Sequence, residues 1–531
     1  MSRYLFLTLF VSIPLFLKSQ APSEATSSRI EILYAEKLSF IQKEEEAIQK
    51  LIGEVKIKQD STFFYCDSAY SYQDTSILEA FGNVKIVMQD GVTLTGDRLF
   101  YNGFTRIAEV FENIVLDDGE VKLFTDKLIY YRDESYGIYT EGGVLENADN
   151  TLTSETGYYY SQRKMAYFNQ QVSLVNPDYT LTTDTLGYNT ATKVAVFLSP
   201  TEINNEDGSL LTSNGNYATE EKNIELFSRS TVLDSSYTLT ADTLYYNDST
   251  SLGYAYGSVL IEQQDSSLQI WGDEGFFNRS TDETIITEKA IAIQFMEEDT
   301  LYMTADTLYA KQDSVEGRLV RAYYKVDVYM NDMQGKADSL IYLYNDSLII
   351  LYDDPIIWSD VNQVTGDTIK IQLKENRADS MWVGPRGFLV SQEDTLGFNQ
   401  IKGKEMRAKF RENKLVRLHV IGNSESIYFG KDELDNYQGM NTALSQEMII
   451  YLKDNEVSKI SFLAKPDGKF FPIHEILFEE NKLEGMRWRI DEKTGKPILT
   501  DYHEELLERL MKPPPATLPE TTLPSGILEE R

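Results

Sequence analysis

Thr240-Ala241-Asp242-Thr243-Leu244-Tyr245-Tyr246-Asn247 decides how this chain folds, because variants of it return about every 30 residues. Clear copies are Gly96-Asp97-Arg98-Leu99-Phe100-Tyr101-Asn102, Thr125-Asp126-Lys127-Leu128-Ile129-Tyr130 and Thr183-Asp184-Thr185-Leu186-Gly187-Tyr188-Asn189. The pattern continues through Gly272-Asp273-Glu274-Gly275-Phe276-Phe277-Asn278, Ala305-Asp306-Thr307-Leu308-Tyr309 and Ala337-Asp338-Ser339-Leu340-Ile341-Tyr342. Ser154-Glu155-Thr156-Gly157-Tyr158-Tyr159 is a weaker copy. A fixed period of this size marks stacked rungs, none of which can bury its apolar face alone.

Midway between copies lies a second signal, Gly-x-Val, seen at Gly53-Glu54-Val55, Gly82-Asn83-Val84 and Gly257-Ser258-Val259, and shortened to Gly143-Val144. Each glycine is read as a kink or positive-φ entry into a strand. Alternating runs such as Val84-Lys85-Ile86-Val87-Met88 read as half-buried strands, and Asp117-Asp118-Gly119 reads as a turn. About a dozen such units make an elongated all-β solenoid.

Parity within the motif then assigns the faces. Side chains alternate along a strand, so Asp242, Leu244 and Tyr246 share one side. The Leu-plus-Tyr set is the larger and more apolar, and that face is expected inward. It comprises Leu99 with Tyr101, Leu128 with Tyr130, Tyr159, Leu186 with Tyr188, Leu244 with Tyr246, Phe277, Leu308, and Leu340 with Tyr342. Two readings stand for the tyrosines: cross-strand packing, or the lining of an apolar groove with each hydroxyl at a polar rim.

The chain divides at its ends. Arg3 and the apolar run from Tyr4 to Leu17 read as an export signal over residues 1–21. An entry segment spans 22–50, the main array 51–400 and degenerate repeats 401–470, where Lys404 replaces the Asp. A cap over 471–531 follows, with a short helix from Asp501 whose Tyr502, Leu506, Leu507 and Leu510 share a face, then Pro513-Pro514-Pro515 and a tail.

Composition excludes several functions. A formal net charge of −34 argues against a nucleic-acid partner and against adsorption to anionic membranes. Cys66 is the single cysteine, so neither an internal disulfide nor a thiolate metal site is available. His419, His474 and His503 lack metal-ligand spacing, and no nucleophile elbow or phosphate-cradling loop occurs. The recurring Asp is the pattern itself, which suits a turn-fixing residue better than a catalytic carboxylate. No metal, cofactor or catalytic residue is assigned, and the chain is read as non-enzymatic.

The export signal, Gly82-Asn83-Val84, and the linked pair Ala241-Asp242-Thr243-Leu244-Tyr245-Tyr246 and Gly257-Ser258-Val259 resemble the LptA/OstA-like proteins of lipopolysaccharide transport. Gly422-Asn423-Ser424-Glu425-Ser426-Ile427-Tyr428 resembles a late copy, and the likeness covers roughly residues 30 to 460. The resemblance implies a β-jellyroll of two facing antiparallel sheets in a twisted, open V. It implies a periplasmic bridge carrying lipopolysaccharide or a related glycolipid toward the outer membrane, acyl chains in the groove, with the Leu and Tyr set above as its lining. Partners would be other Lpt-type envelope proteins, joined end to end by strand pairing at about Ile30–Phe40 or Ile460–Leu463. A closed structural or adhesive β-solenoid is the alternative, and a polysaccharide-active β-helix is a third reading.

Overall fold

Polar–apolar alternation broken once per strand builds this molecule. The computed structural model describes residues 29–497, apart from 44–45, 90, 207, 297–298, 314–316, 376, 394–396, 413, 433–435, 454–455 and 477–480. The export signal, the Asp501 helix and the Pro-rich tail lie outside the described residues. Among those described are forty β-strands and two 3-10 turns. They group into two units, Met1–Gln170 and Gln171–Arg531.

In the first unit the strands Ile77–Val87, Thr93–Asn102, Ile107–Asp117 and Lys122–Tyr131 follow one another antiparallel. Each bends at its middle. Phe81 faces Arg98 and Val84 faces Gly96, which leaves Gly82-Asn83 opposite Asp97 alone. Both bulge residues are left-handed, with φ of 74° and 48°, so the strand turns a corner there. Residues 84–87 and 93–96 lie on one side of the corner, in a first sheet; residues 77–81 and 98–102 lie on the other, in a second. The sheets meet inside: the rings of Phe64 and Tyr101, one from each, are 4.8 Å apart.

The corner recurs with different residues. Gly53-Glu54, Glu112-Asn113, Gly257-Ser258, Glu288-Lys289 and Gly422-Asn423 all have positive φ at both positions. Glycine eases the first of these conformations without being required. At Gly143 the expectation shifts by one residue, since Gly142 carries the positive φ of 87°. The facing Asp closes the corner through its backbone, as in Asp242 N–H to Gly257 O at 2.9 Å. Lys404 makes the same bond to Gly422 O at 2.9 Å. Replacing Asp by Lys therefore leaves the rung intact, and the degenerate stretch contains the long strands Lys414–Lys431 and Tyr437–Lys453.

The bend also corrects one parity assignment. Thr125 and Leu128 are both buried while Asp126 between them is exposed. Asp242 likewise leaves the face of Leu244 and points outward at the apex, its side chain 45% exposed. Strict alternation fails at the corner, so the Asp column lies outside while the residues two and four further on lie inside.

In the second unit the rungs between residues 194 and 234 are broken into strands of four or five residues. Pro200 cannot donate a ladder bond, and the corner there is held by hydroxyls: Thr183 Oγ1 to Ser199 Oγ at 2.8 Å, Ser230 Oγ to Thr212 Oγ1 at 2.8 Å. From Leu252 to Leu343 long bent strands resume, and between Leu348 and Arg411 the rungs break again into strands of four to seven residues.

Candidate functional site

The inner face of the second sheet is the feature that the repeat places most regularly. In the first unit cross-strand pairing lines up Tyr101, Ala108, Tyr130, Gly137, Tyr159 and Ala166 in one column. Each tyrosine stands opposite an alanine or glycine seven residues later. The reason is space: a Cβ on Gly137 would come within 3.3 Å of the Tyr130 ring. This small-residue partner was missed in the sequence reading; a glycine or alanine seven positions after each motif tyrosine is the signal that finds it. The second unit repeats the theme with Tyr188 opposite Ala195, and Tyr246 opposite Gly253.

Leu99, Tyr101, Leu128, Tyr130 and Tyr159 are buried on this inner face of the first unit, none more than 3% exposed. In the second unit Leu186, Tyr188, Leu244, Leu308 and Leu340 are buried as well, whereas Tyr246, Phe277 and Tyr342 are only half-buried. Burying one Leu-sized side chain contributes about 1.5–3 kcal/mol, so the first unit's filled interior is a large part of its stability. Burial also pushes the Tyr139 hydroxyl up to about 12, although it bonds Ser154 Oγ at 2.5 Å. Cys66 is buried in the opposing sheet, where desolvation pushes its thiol up to about 12.

Opposite the corner, the free rims of the two sheets in the first unit are joined by polar clasps. Arg132 donates to Gln59 Oε1 at 2.9 Å and to the Tyr101 hydroxyl at 2.5 Å, and reaches Asp60 at 3.4 Å. Tyr101 itself donates to Gln59 Oε1, and Arg106 bridges Asp60 and Asp133 at 3.0 Å each. A second clasp centres on Asp118, whose side chain is fully covered: the Tyr159 hydroxyl donates to it and Lys164 Nζ stands at 3.0 Å. Burial pushes the Asp118 carboxyl up, but hydrogen bonds from Tyr159, from the Val121 and Glu120 N–H groups and from Lys164 outweigh it and hold the group below the usual carboxylate range.

In the second unit the rim contacts among the described residues are longer. Arg279 and Asp234 are 3.6 Å apart, and Tyr344 donates to Gln294 Oε1 at 3.4 Å. Tyr179 and Tyr217 meet edge to face at 5.4 Å, and the buried Tyr179 hydroxyl has no hydrogen-bond partner among the described residues. Desolvation raises that phenol well above its ordinary value.

Outside this interior the structure gathers little chemistry. The Asp column pairs with bulge residues: Asn113 to Asp97 at 2.6 Å, Lys289 to Asp273 at 2.8 Å, Arg386 to Asp367 at 2.6 Å. His419 meets Glu447 at 2.9 Å and His474 meets Glu475 at 3.6 Å, while His503 lies outside the described residues. Among the described residues no three His, Cys, Asp or Glu side chains group as metal ligands would. None of the described helices is long and apolar enough to cross a membrane. A shallow depression of about 730 Å³ lies on the outer side of the second sheet, lined by Thr243, Tyr245, Tyr254 and Tyr256.

Comparison with known proteins addresses the same rungs. The family described as OstA-like protein matches residues 27–184 and 178–242, and the family described as LptA/(LptD N-terminal domain) LPS transport protein matches residues 238–377. No curated protein matches the sequence. Among solved structures, LptH of Pseudomonas aeruginosa, titled the LptA homologous periplasmic component of the conserved lipopolysaccharide transport device, is 14% identical. It covers 26% of this chain and 95% of its own, with a TM-score of 0.21. The WD40 domain of SCAP from fission yeast is 8% identical, covering 84% of this chain and 90% of its own at a TM-score of 0.12. Scores this low carry no argument about either protein's role here. The two family matches run without a break through the Asp-corner rungs, and on them the chain belongs to the LptA/OstA-like lipopolysaccharide-transport family.

Proposed function

We propose that this chain is a periplasmic carrier of lipopolysaccharide or a related glycolipid, and that acyl chains lie against the inner face of the second unit. The observation that carries this reading is the set of half-buried inward aromatics, Tyr246, Phe277 and Tyr342, beside rims where Arg279 stands 3.6 Å from Asp234 and Tyr344 reaches Gln294 at 3.4 Å. Each CH2 moved from water onto such a surface contributes about 0.8 kcal/mol. A row of similar sites lets a chain shift from rung to rung without a deep trap. The clasped rims of the first unit act as a gate, opened when the Arg132 and Asp118 networks part. The family supports the cargo class; the aromatics support the place. The role is transport, with no reaction catalysed.

Partners join through strand edges. Glu31–Tyr34 and Lys37–Lys43 both pair with Glu46–Gln59, and their outer edges have no partner strand among the described residues. Leu33, Tyr34, Leu38 and Phe40 stand exposed there, Phe40 by 72%. An open edge with apolar side chains suits strand addition by another envelope protein of the same kind.

The test is photocrosslinking of lipopolysaccharide to probes at Tyr246, Phe277 and Tyr342, with Tyr245 on the outer side as the control. Crosslinks at the three inner positions and none at Tyr245 are expected. Equal labelling of Tyr245 and Tyr246, or none at all, removes the inner face as the cargo site.

A further inference from the structure

Basic residues recur at the turns of the second sheet, and the structure pairs them with carboxylates across the rim or on a neighbouring turn. In the first unit Arg106 and Lys164 each stand 3.0 Å from a carboxylate, Asp60 and Asp118 respectively. In the second unit Lys222, Arg279 and Lys311 stand 3.7, 3.6 and 3.2 Å from Asp248, Asp234 and Glu283. A chain of formal net charge −34 has acids to spare for such pairs. Arg318 is the exception to the pattern. Among the described residues no carboxylate lies within ion-pairing distance of it, and none of its side-chain N–H groups donates a hydrogen bond.

Strand register places this side chain at the mouth of the interior. In the strand Gly317–Tyr329, Val320 stands opposite the inward Tyr342. Side chains alternate, so Arg318 shares that inner face. The bond from Tyr344 N–H to Arg318 O, at 3.0 Å, carries the ladder past the strand end and sets the two residues side by side. The half-buried guanidinium lies over the Tyr344 ring, 4.6 Å from its centre. That ring stacks on Tyr342 at 3.9 Å, and its hydroxyl reaches Gln294 of the opposing sheet. Burial pushes the Tyr344 phenol up to about 12, against the pull of Arg318. Asp265 feels the charge of Arg318 but turns its carboxylate onto its own loop, accepting from Ser267 N–H at 2.9 Å. Hydrogen bonds from Ser267 chiefly hold that carboxyl below its usual range, with Arg318 a lesser cause.

We propose that Arg318 binds a phosphate on the sugar end of the glycolipid while the acyl chains begin against Tyr342. A guanidinium stacked by its face on an aromatic ring keeps its N–H edge for a second partner, and that planar fork matches phosphate oxygens two at a time. The anion site and the apolar lining are contiguous through the Tyr342–Tyr344 stack, which is the arrangement an amphiphile needs. In so acidic a chain, an inward cation left without a carboxylate is also the place where an anionic cargo meets least repulsion. The inference rests on the carrier reading and adds to it an anchor and an orientation, headgroup at the rim and tails inside.

Binding of lipopolysaccharide, and of the same preparation stripped of its phosphates, is compared for the wild-type chain, Arg318→Gln and Arg318→Lys. The wild-type chain is expected to hold the phosphorylated form about tenfold more tightly. Arg318→Gln should bring that form down to the level of the stripped one, Arg318→Lys should fall between, and binding of the stripped form should not change. Equal affinity of the wild-type chain for both forms, or equal weakening of both by Arg318→Gln, overturns the proposal and leaves the carrier reading standing. If the wild-type chain holds neither form, both fall together. Inorganic phosphate alone, titrated by calorimetry, is expected to bind about a hundredfold more weakly than the lipid, because no acyl chain adds to it; binding as tight as the lipid's would mark a free-anion site and overturn the assignment. Should Arg318→Gln prevent folding, phenylglyoxal labelling of the unmodified chain, read by mass spectrometry, gives a second answer. Lipopolysaccharide is expected to protect Arg318 and the stripped form to leave it reactive; equal protection by the two, or none by either, overturns the proposal.

Discussion

The two units apply the same repeat with opposite emphasis. In Met1–Gln170 the interior is filled by its own side chains and the rims are locked: Arg132, 10% exposed, bonds Gln59 and Tyr101 within 2.9 Å, and Asp118 is fully covered. In Gln171–Arg531 the rims touch at 3.4–3.6 Å through Arg279, Asp234, Tyr344 and Gln294, and three inward aromatics remain only half-buried. The outer faces reverse the contrast. Thr95 and Val115 of the first unit are half-exposed on theirs, while Trp271 and Trp358 of the second are buried at 2% and 1%. One unit is sealed from within, the other from without. A repeat sets where apolar faces point; what closes over them is decided by residues that do not repeat.

The largest expected effect comes from breaking the first clasp. Arg132→Ala leaves Gln59 and Tyr101 short of a charged partner in a largely desolvated place, while Asp60 keeps Arg106, and is expected to destabilise the first unit by about 3 kcal/mol. Equilibrium urea unfolding measures it, and hydrogen exchange localises it to the rungs up to Gln170. A loss below about 1 kcal/mol would mean that the rim is held by packing alone.

Next in size is a matched pair of glycines. A Cβ would stand 3.3 Å from the Tyr130 ring at Gly137, and 3.3 Å from the Tyr246 ring at Gly253. Tyr130 is 1% exposed and has nowhere to go, whereas the half-buried Tyr246 can shift. Gly137→Ala is expected to cost about 2 kcal/mol and Gly253→Ala under about 1 kcal/mol. Equal costs in thermal unfolding would contradict the difference in packing freedom.

Acid should separate the second clasp from the rest. The folded carboxyl of Asp118 is held below its ordinary value of 3.8, so the unfolded chain takes up that proton first. Its stabilisation is present above the unfolded value and lost as pH falls through the folded one. The stability gap between the wild-type chain and Asp118→Asn should therefore narrow below about pH 4. A gap independent of pH from 7 to 3 would show that the carboxylate charge plays no part.

The smallest effect belongs to the second unit's rim. Arg279 is 41% exposed and 3.6 Å from Asp234, so Arg279→Ala is expected to cost under about 0.5 kcal/mol by urea unfolding. A loss matching that of Arg132→Ala would erase the contrast between the units.

How much of this was legible beforehand follows from which signals repeat. The Asp-x-Leu-x-Tyr period gave the all-β stack and the inward set from Leu99 to Tyr342, because strand alternation is local and recurs. The outward turn of Asp97 and Asp242 was hidden, since a two-residue left-handed bulge opposite one Asp breaks the alternation that the parity argument assumed. The Asn113–Asp97 and Lys289–Asp273 contacts, each 16 residues apart, appear once that corner is known. The alanines and glycines opposite the tyrosines were readable and overlooked. The clasps were not readable: Arg132 finds Gln59 across 73 residues and Lys164 finds Asp118 across 46, with no periodic cue. Nor was the bond from Arg489 N–H to Gln363 Oε1, made across 126 residues.

The account turns on cargo reaching the inner aromatics through the second unit's rims, and a reversible lock on those rims tests it most directly. Asp234→Cys with Arg279→Cys places one thiol on each rim, to be joined by a short bis-methanethiosulfonate linker that spans the distance the Arg side chain now covers, while Cys66 stays buried with its thiol pushed up to about 12. Lipopolysaccharide capture should be lost when the linker joins the two thiols and restored when it is released by reduction. Capture that is unchanged once mass spectrometry shows the rims joined would mean that lipid never passes between the sheets there.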